Sequence, residues 1–499
     1  MERHGIESIP DCDRTASIGD FLRIAWGGSN SLATAVLGAF PVIFGLSFTQ
    51  ALTATVSGVA LGAVVLAPMA IFGPITGTNN AVASSAHFGV VGRIVGSFLS
   101  LLTAICFFSI SVWSSGDALI GALQRLLGMH PAELDFALAY GFFAIAVLIV
   151  SIYGFRLMLL VNKVAVVAAS ALFVIGFALF WPMFDPGYRG AGLIAGSPRF
   201  WSAFIAAALV ALANPISFGA FLGDWTRYLP RQTDRRRLML ASILAQLLSL
   251  IPFVFGLVTT SIIAVRAPHF LDQVDYSGGL IAIAPRGFFV PLMLLAVLSG
   301  MSTGTTSLYG TGLDFSSVLP RFTRPQATLF IGTIAITLIY IGRFIFDLTG
   351  AITTFAALIV VTTTPWMVIM IIGYLTRRGY YLPEAMQVFN RGQKGGPYWF
   401  CGGWNLCAVT SWALSSAIAL AMVDMPAHFV GVLGHLAGDL DLSLLAALLL
   451  PALIYPLLLH LLPEPRIVFG PDGPRGIPAT EQAVVPVKSR TGGATRLAR

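Results

Sequence analysis

The stretch FLRIAWGGSNSLATAVLGAF, residues 21–40, decides the fold, because GGSNS at 27–31 breaks its apolar run in the middle. A second apolar run, FIAAALVALANPISFGAFLGDW at 204–225, is cut by Asn214-Pro215, with Gly219 just beyond. Glycine and serine are poor helix formers, and proline removes a helix hydrogen bond. Both runs therefore predict membrane helices that are interrupted near their midpoints, with a simple kink as the alternative.

The composition of the whole chain is that of a membrane protein. Of its 499 residues, 57% are hydrophobic and only 10% are charged, against roughly 25% in an ordinary soluble domain. This excludes a soluble enzyme, a disordered chain and a disulfide-stapled secreted scaffold. The apolar runs are long and continuous, which favours helices over an outer-membrane barrel. We therefore predict an all-α polytopic membrane protein.

Twelve apolar runs are long enough to span a bilayer. They cover residues 21–46, 51–74, 93–124, 134–154, 160–183, 200–222, 238–264, 289–318, 327–346, 349–374, 404–425 and 442–462. With twelve spans both termini share one side, and all but six of the 29 Lys and Arg residues fall there. The six exceptions are Arg125, Arg189, Arg199, Arg266, Arg286 and Arg343. Because cytoplasmic loops are enriched in basic residues, both termini are predicted to be cytoplasmic, in an inner or plasma membrane.

The two interrupted runs hold corresponding places in the chain. They are the first and the sixth span, and so each opens a unit of five spans. Interrupted segments in corresponding positions of two halves point to an inverted-repeat transporter. The predicted organisation is an N-terminal cytoplasmic segment (1–20), a ten-helix transport core (21–374), a cytoplasmic loop (375–403), helices 11 and 12 (404–462) and a disordered cytoplasmic tail (463–499).

Six short motifs are spread along the chain: ERHGIESIP at 2–10, PVIFGLSF at 41–48, GPITGTNNAVASSAHFGVVG at 73–92, GDWTRYLP at 223–230, RRGYY at 377–381 and GGWN at 402–405. In these motifs the chain resembles the nucleobase–cation symporters of the purine/cytosine permease type. One departure is Trp225-Thr226, where the family usually has Tyr-Ser. The resemblance implies a leucine-transporter-like fold, in which ten helices form two inverted five-helix repeats and two further helices pack outside.

The same resemblance implies the activity. The expected function is import of a nucleobase or related heterocycle, driven by a sodium or proton gradient. The coupling ion is then the only cofactor, and the expected partners are the heterocycle, the cation and the lipid bilayer. We expect a monomer that binds no nucleic acid, since basic loops already account for the net charge of +7.

Trp113 and Asp117 in the third span are the first candidates for a substrate site. They lie four residues apart, so both project from one helix face. Asp117 is the one acidic residue well inside a predicted span, where a carboxylate is costly and therefore suggests function. An indole can stack on a planar ring, and a carboxylate can accept its N–H groups. The alternative is that Asp117 lies in water at the outer mouth.

The resemblance extends this site to other spans. In the family an aromatic residue on span three stacks the substrate and a polar residue one turn later bonds it, as Trp113 and Asp117 would. An aromatic residue of span six closes the other side, and Phe218 is the predicted counterpart. The remaining predicted substrate residues are Asn30, Asn214, Thr306 and Tyr309. Leu308 aligns where sodium-dependent relatives carry Asn, which departs from the family pattern.

Span eight carries a run of hydroxyls in VLSGMSTGTTSLYGTGL at 297–313. Ser299, Ser302 and Thr303 share one helix face, and hydroxyls with freed carbonyls are ligands that suit a small alkali cation. By resemblance, Gly28 and Ser31 at the first break complete a sodium site. The alternatives are that these hydroxyls serve helix–helix contacts, or that a proton carried by Asp117 is the coupling ion.

Asp224 and Arg227 lie three residues apart after span six. We interpret them as a gate or structural ion pair. No nucleophile–base set or His-rich metal motif stands in the spans, which argues against an enzyme, and no catalytic residue is assigned. A channel would need a repeated filter, which is lacking. An amino-acid carrier of the same fold and an allantoin, hydantoin or thiamine permease stay open; Asp117 favours donor-rich cytosine or a purine.

Overall fold

The computed structural model describes the chain except residues 1–6, 129, 154, 273–274, 319–323, 346–347, 426–428, 439, 482–484 and 490–499. The described side chains also exclude those of 155–159, 309, 312–314, 316–318, 324, 348–351, 437 and 488–489. Within these ranges ten helical segments are long and apolar enough to cross a membrane. Two shorter apolar helices, Leu32–Ile43 and Leu406–Ala421, lie where the first and eleventh spans are predicted. The prediction of a helical multi-pass membrane protein is confirmed.

The helices follow the order of the predicted spans. They are α1 (Ile18–Ser29), α2 (Leu32–Ile43), α3 (Phe48–Leu66), α4 (Phe72–Thr76), α5 (Asn80–Ala83), α6 (Ser85–Phe88), α7 (Ile94–Leu127), α8 (Glu133–Tyr153), α9 (Phe155–Phe180), α10 (Pro198–Thr226), α11 (Arg235–Leu248), α12 (Leu250–Arg266), α13 (His269–Asp272), α14 (Tyr276–Ile283), α15 (Phe289–Val318), α16 (Arg324–Phe344), α17 (Leu348–Thr376), α18 (Pro383–Met386), α19 (Leu406–Ala421) and α20 (Ser443–Leu461). Short 3₁₀ turns cover Asp11–Asp13, Ala67–Ile71, Trp181–Met183, Gly434–Ala437 and Arg466–Phe469.

Short strands tie the loops together. The antiparallel pairs are β1 (Gln393–Lys394) with β6 (Lys488–Ser489), in the register Gln393 to Ser489, and β2 (Asp424–Met425) with β3 (Phe429–Val430). The parallel pair is β4 (Glu464–Pro465) with β5 (Ala479–Thr480).

The first span is interrupted as predicted. Helix α1 ends at Ser29, and Ser31 caps α2 with its side chain. The N–H of Ser31 donates to the carbonyl of Ser29 (3.0 Å), and the N–H of Leu32 donates to Oγ of Ser299 on α15 (3.1 Å). In an uninterrupted helix these two N–H groups would donate to the carbonyls of Gly27 and Gly28. Both carbonyls therefore lose their helical donors at this break.

The sixth span differs from the prediction. Helix α10 runs without interruption from Pro198 to Thr226, with Pro215 inside it. The break predicted at Asn214-Pro215 is corrected to a proline accommodated within a helix. The physical reason is packing: α3 lies so close that a Cβ on Gly62 would meet Cγ of Pro215 at 2.7 Å. The Ser217 hydroxyl donates to the Asn214 carbonyl (2.5 Å), so a side chain supplies a local hydrogen bond.

The spans pack as two groups of helices. One group contains α2, α3, α10 and the pair α11–α12, and the other contains α7, α8, α15 and α16. The helix contacts repeat between the two halves of the chain. If each span in several of the observed pairs is replaced by the span five places away in the sequence, the result is another observed pair. Thus α2–α12 corresponds to α10–α3, and α7–α16 corresponds to α15–α8. Exchange of this kind is what two five-helix repeats would produce.

Glycines let the helices of the first group approach closely. A Cβ on Gly256 would lie far inside contact distance of the Ala35 carbonyl oxygen, and one on Gly38 would meet the Phe253 carbonyl in the same way. Across the equivalent pair, Gly58 lies against the Ala208 carbonyl. In lipid, where hydrophobicity does not drive helices together, such backbone contact is a main source of packing energy.

The segment after Pro463, predicted as a disordered tail, is packed where it is described. Glu464, Val468 and Phe469 are buried, and the two short strands β5 and β6 pair with partners elsewhere. The composition of the tail is polar, but its few apolar side chains and one carboxylate have tertiary partners. The prediction for 463–499 is therefore corrected for the described residues.

A test of this packing is the substitution Gly256→Ala. The added methyl group overlaps the Ala35 carbonyl, so α2 and α12 must separate, with an expected loss of about 3 kcal/mol. The thermal unfolding midpoint of the purified protein in detergent measures this loss. Gly310→Ala is the matched control, because that buried helical glycine has no atom nearer than 3.6 Å to an added Cβ. Equal midpoints for the two variants would contradict the close α2–α12 contact.

Candidate functional site

A small cavity lies between α2, α7, α14 and α17. Its volume is about 20 Å³, enough for about one water molecule. The lining residues are Val36, Ile110, Trp113, Ser114, Asp117, Tyr276, Ser277 and Ile352. The structure thus brings the predicted pair Trp113 and Asp117 to one cavity. This cavity is too small for the heterocycle that the sequence leads us to expect.

Trp113 is held firmly at this cavity. Its side chain is buried, and its ring N–H donates to the Ile339 carbonyl on α16 (3.3 Å). The indole also packs against Gly342, where a Cβ would lie 3.0 Å from the ring. A glycine on α16 therefore makes room for the indole, and both contacts hold its orientation between α7 and α16.

Asp117 is buried rather than exposed at a water-filled mouth, with an exposed fraction of 6%. Its carboxylate accepts a hydrogen bond from the Tyr140 hydroxyl. That hydroxyl in turn accepts a hydrogen bond from Nε of Arg343 (3.1 Å). Reasoning from sequence missed Tyr140 and Arg343 as neighbours of the site. The available signal was that Arg343 is one of the six basic residues on the less basic face.

One side of the cavity is covered by a short helix that was not predicted from the sequence. Tyr276 and Ser277 come from α14, a short helix in the loop between α12 and α15. Asp275 caps this helix by accepting the Gly278 N–H (2.7 Å). Arg125 of α7 donates to the Ile281 carbonyl (2.5 Å) and so fastens α14 onto α7. We call Asp275–Ile283 the lid.

Phe218 does not face Trp113 across this cavity. Its ring lies against the first helix break, where a Cβ on Gly28 would be 3.1 Å from Cε1, and it packs on Trp225 with ring centroids 5.6 Å apart. The expected aromatic sandwich is therefore not assembled in this conformation. Asn214, one turn earlier on α10, is buried, and no described group hydrogen-bonds its side-chain amide. It is a polar group with capacity for a ligand.

The other predicted substrate residues have different positions. Nδ2 of Asn30 donates to the Ser170 hydroxyl (2.9 Å) and the Val166 carbonyl (3.3 Å), both on α9. The Thr306 hydroxyl donates to the Ser302 carbonyl (2.7 Å) within its own helix. The side chain of Tyr309 lies outside the described residues. Asn30 and Thr306 thus make contacts within the protein.

One predicted cation residue of α15 contacts the first break directly. Ser299 lies against this break, since it accepts the Leu32 N–H, and Ser302 and Thr303 lie on the same face of α15. The hydroxyls of Ser302 and Thr303 are buried, and no hydrogen-bond partner for either stands among the described residues. Two further buried oxygens, Oγ of Ser29 and Oδ1 of Asn30, also lack a hydrogen-bond partner among the described residues. The freed Gly27 and Gly28 carbonyls add to these oxygens, while the Ser31 hydroxyl caps α2 and accepts the Thr34 N–H (3.4 Å).

Asp224 and Arg227 lie at the end of α10, beside the N-terminal segment. Asp224 faces α15, where a Cβ on Gly310 would lie 3.8 Å from its carboxylate. Arg227 is buried, with its guanidinium over the Tyr228 ring at 5.2 Å. The Tyr228 carbonyl accepts the N–H of Ala16 (3.1 Å), which ties the N-terminal segment to this end of the bundle.

The motifs at 73–92, 377–381 and 402–405 meet the chain after α20 in one buried cluster at the face that carries both termini. Arg377 forms an ion pair with Glu464 and donates to Nδ1 of His87 (2.5 Å). Asn405 donates to the other Glu464 oxygen (2.5 Å), and Nε2 of His87 lies 3.0 Å from the Tyr381 hydroxyl. Burial, and then the Arg377 cation, hold the pKa of His87 well below its usual range. His87 is therefore neutral, with Nδ1 accepting and Nε2 donating.

Comparison with known proteins identifies the family. Residues 8–443 match the family described as permease for cytosine/purines, uracil, thiamine and allantoin. The chain belongs to this family. A putative purine-cytosine permease of Bacillus subtilis, YxlA, is 26% identical over 477 residues, which cover 94% of this chain and 97% of that protein. The vitamin B6 transporter TPN1 of Saccharomyces cerevisiae is 25% identical over 162 residues, or 31% of this chain and 26% of TPN1.

Solved structures agree on the fold. The transporter Mhp1 of the nucleobase-cation-symport-1 family, in a closed conformation with bromovinylhydantoin bound, superposes with a TM-score of 0.69 at 18% identity. The similarity covers 93% of this chain and 97% of Mhp1. The inward-facing conformation of Mhp1 gives a TM-score of 0.68. The predicted leucine-transporter-like fold class is confirmed, and the protein is a permease-family transporter rather than an enzyme.

The buried cluster generates a stability prediction for Glu464→Gln. This change leaves the Arg377 guanidinium buried without its counter-charge, which we expect to cost about 3–5 kcal/mol of folding free energy. The thermal unfolding midpoint of the purified protein measures the effect. Glu384→Gln is the control, because the Glu384–Arg391 pair is solvent-exposed and such pairs contribute about 0–1 kcal/mol. A small and equal shift in both variants would contradict the role given to Glu464.

Proposed function

We propose that this protein imports a nucleobase or closely related heterocycle, with cytosine or a purine favoured, by symport with a cation across the cell membrane. The observation that carries the proposal is the position of the first helix break. Leu32 at this break touches Ser299 beside the candidate cation oxygens, and Val36, one turn later on α2, lines the cavity of Trp113 and Asp117. One helical turn thus joins the two candidate sites.

The chemistry of the cavity favours a planar, donor-rich ligand. The Trp113 indole offers a flat apolar surface, and its orientation is held by Ile339 and Gly342. Asp117 offers carboxylate oxygens that accept ring N–H or exocyclic amino groups, as cytosine and the purines carry. Asn214 offers both a donor and an acceptor that no described group uses. In the proposed bound state the cavity widens toward α10, so that Asn214 and Phe218 contact the second face of the ring.

The chemistry at the break favours a small hard cation, and we propose sodium. The candidate ligands are the hydroxyls of Ser302 and Thr303 and the carbonyl of Gly28, with Ser299 and Ser31 holding the surrounding backbone. An alkali cation binds oxygen ligands of this kind, and it would offset the desolvation of oxygens that have no described hydrogen-bond donor. A cation that holds α1 and α2 against α15 also shapes the neighbouring cavity wall at Val36, which would couple its binding to that of the heterocycle.

The proposed cycle is alternating access by a monomer with cytoplasmic termini. The four-helix group of α2, α3, α10 and α11–α12 moves against the group of α7, α8, α15 and α16. The lid lies on the outer side, and Asp224, Arg227 and the N-terminal segment lie on the inner side. The excess of basic residues at the terminal face supports this orientation.

Replacing Trp113 by alanine tests the substrate site. Loss of ring stacking is expected to weaken cytosine or adenine binding by about 1–3 kcal/mol, or roughly 5-fold to 150-fold in Kd. Equilibrium binding of the radiolabelled bases to purified protein measures the change. Trp412→Ala is the control, because that tryptophan donates to the Thr362 carbonyl away from the cavity. Undiminished binding by the Trp113 variant would contradict stacking at this position.

Replacing Thr303 by alanine tests the cation site. One proposed ligand is lost, so the sodium concentration for half-maximal uptake of cytosine or adenine is expected to rise severalfold. Thr311→Ala is the matched control on the same helix, because the buried Thr311 hydroxyl is already paired with the Ser307 carbonyl (2.8 Å). A sodium dependence that is identical in both variants and in the unmodified protein would argue against sodium at this site.

A further inference from the structure

The lid brings a second carboxylate to the cavity. Asp117 and Gly121 are one turn apart on the same face of α7. A Cβ on Gly121 would lie 3.4 Å from Cα of Gly278, and the Gly278 N–H is the group that Asp275 caps. The closed lid therefore places Asp275 beside the turn of α7 that carries Asp117. The two glycines provide the close approach that this position requires.

The charges at this position do not balance. Asp117 and Asp275 repel each other, and Arg343 attracts both. Tyr140 bridges Arg343 to Asp117 and contributes a neutral hydroxyl. Two carboxylates thus share one guanidinium. Because buried charge without compensation is strongly unfavourable, this arrangement favours neutralisation of one carboxylate.

The other ionisable groups around the lid are engaged elsewhere or exposed. Arg125 donates to the Ile281 carbonyl and lies over the Phe289 ring at 4.7 Å. The Tyr276 hydroxyl pairs with the Thr259 hydroxyl (2.8 Å), and the Tyr340 hydroxyl donates to the Ala137 carbonyl (2.6 Å). The exposed groups are Arg266, His269, Asp272 and Arg286. None of these described contacts supplies a second cation to the two carboxylates.

We propose that closing the lid takes up one proton from the outer solution onto the Asp117–Asp275 pair, so that proton binding and lid closure favour each other. The proton adds to a carboxylate oxygen, and the closed network then carries no net charge. When the lid opens, Asp275 moves away from Asp117 and the proton can leave. This inference rests on the proposed function for the assignment of the lid to the outer side.

The direction of the pH effect follows from Asp275. Burial in the closed state raises its pKa from the ordinary 3.8 to about 6. At a pH between 3.8 and about 6, Asp275 is therefore protonated in the closed state and ionised in the open, hydrated state. Acid favours the closed lid, and this preference is lost as the pH rises through about 6.

Accessibility of the cavity from outside tests the proposal without any substrate. Ser277 is buried under the lid, so a cysteine there reacts with a membrane-impermeant maleimide only when the lid opens. Ala282, on the exposed side of the lid, provides the reference. The labelling rate of Ser277→Cys divided by that of Ala282→Cys removes the pH dependence of the thiol reaction itself. We expect this ratio to rise by about tenfold per pH unit between pH 4 and 6 and to level off above it.

Substitutions of Asp275 and Arg343 show whether the pH dependence comes from these two residues. Asp275→Asn keeps the helix cap but removes the titrating group, and the ratio is expected to be low at every pH. Asp272→Asn, an exposed neighbour, is the control and should keep the original profile. Arg343→Gln leaves the two carboxylates without a cation, and the rise should move to higher pH. An unchanged profile in Asp275→Asn or Arg343→Gln would overturn the proposal.

A failure of this inference is distinguishable from a failure of the proposed function. A labelling ratio that does not depend on pH, in a protein that binds cytosine or adenine, would overturn proton uptake by the lid alone. Transport by the wild-type protein would then be coupled only to the cation that is proposed to bind at the break between α1 and α2.

Discussion

A backbone group without a hydrogen-bond partner costs several kcal/mol inside a bilayer, and the first span exposes such groups at its centre. The break between α1 and α2 is tolerable only because other elements contact it. Ser299 of α15 accepts the Leu32 N–H, Asn30 reaches α9, and Phe218 of α10 packs on Gly28. One interruption thus fixes the mutual positions of three spans. Since α15 in turn packs along α7, the same constraint places Trp113 and Asp117 beside the break.

The two ends of the bundle are closed in different ways. At the terminal face the closure is a dense polar cluster in which Arg377 and Asn405, from the connection between α17 and α19, bind Glu464 in the chain after α20. At the other face the closure is a short lid, held by Arg125 and capped by Asp275. The cluster pairs the Arg377 and Glu464 charges one to one and so resists opening, whereas the two carboxylates around one guanidinium at the lid are sensitive to the pH of the solvent. We infer that the lid is the closure that responds to pH.

The sequence predicted what depends on local composition and missed what depends on packing. GGSNS at 27–31 disfavours a helix in any environment, and the structure has a break there. Asn214-Pro215 carries a similar local signal, but contact with α3 at Gly62 keeps α10 continuous. Trp113 and Asp117 share a cavity because helical periodicity alone puts them on one face. Tyr140 and Arg343 were missed because their role depends on contact with Asp117; only the position of Arg343 on the less basic face gave a sequence signal.

In the proposed transport cycle a heterocycle and a cation bind together, on either side of one helical turn. The most direct measurement is the thermal stabilisation of the purified protein by cytosine, adenine, uracil, allantoin, hydantoin and thiamine, each with and without sodium. A ligand that binds the folded state raises the unfolding temperature by mass action. We expect a shift for cytosine or adenine that increases when sodium is present. The absence of a shift for every compound, with or without sodium, would contradict binding of a heterocycle and a cation at adjacent sites.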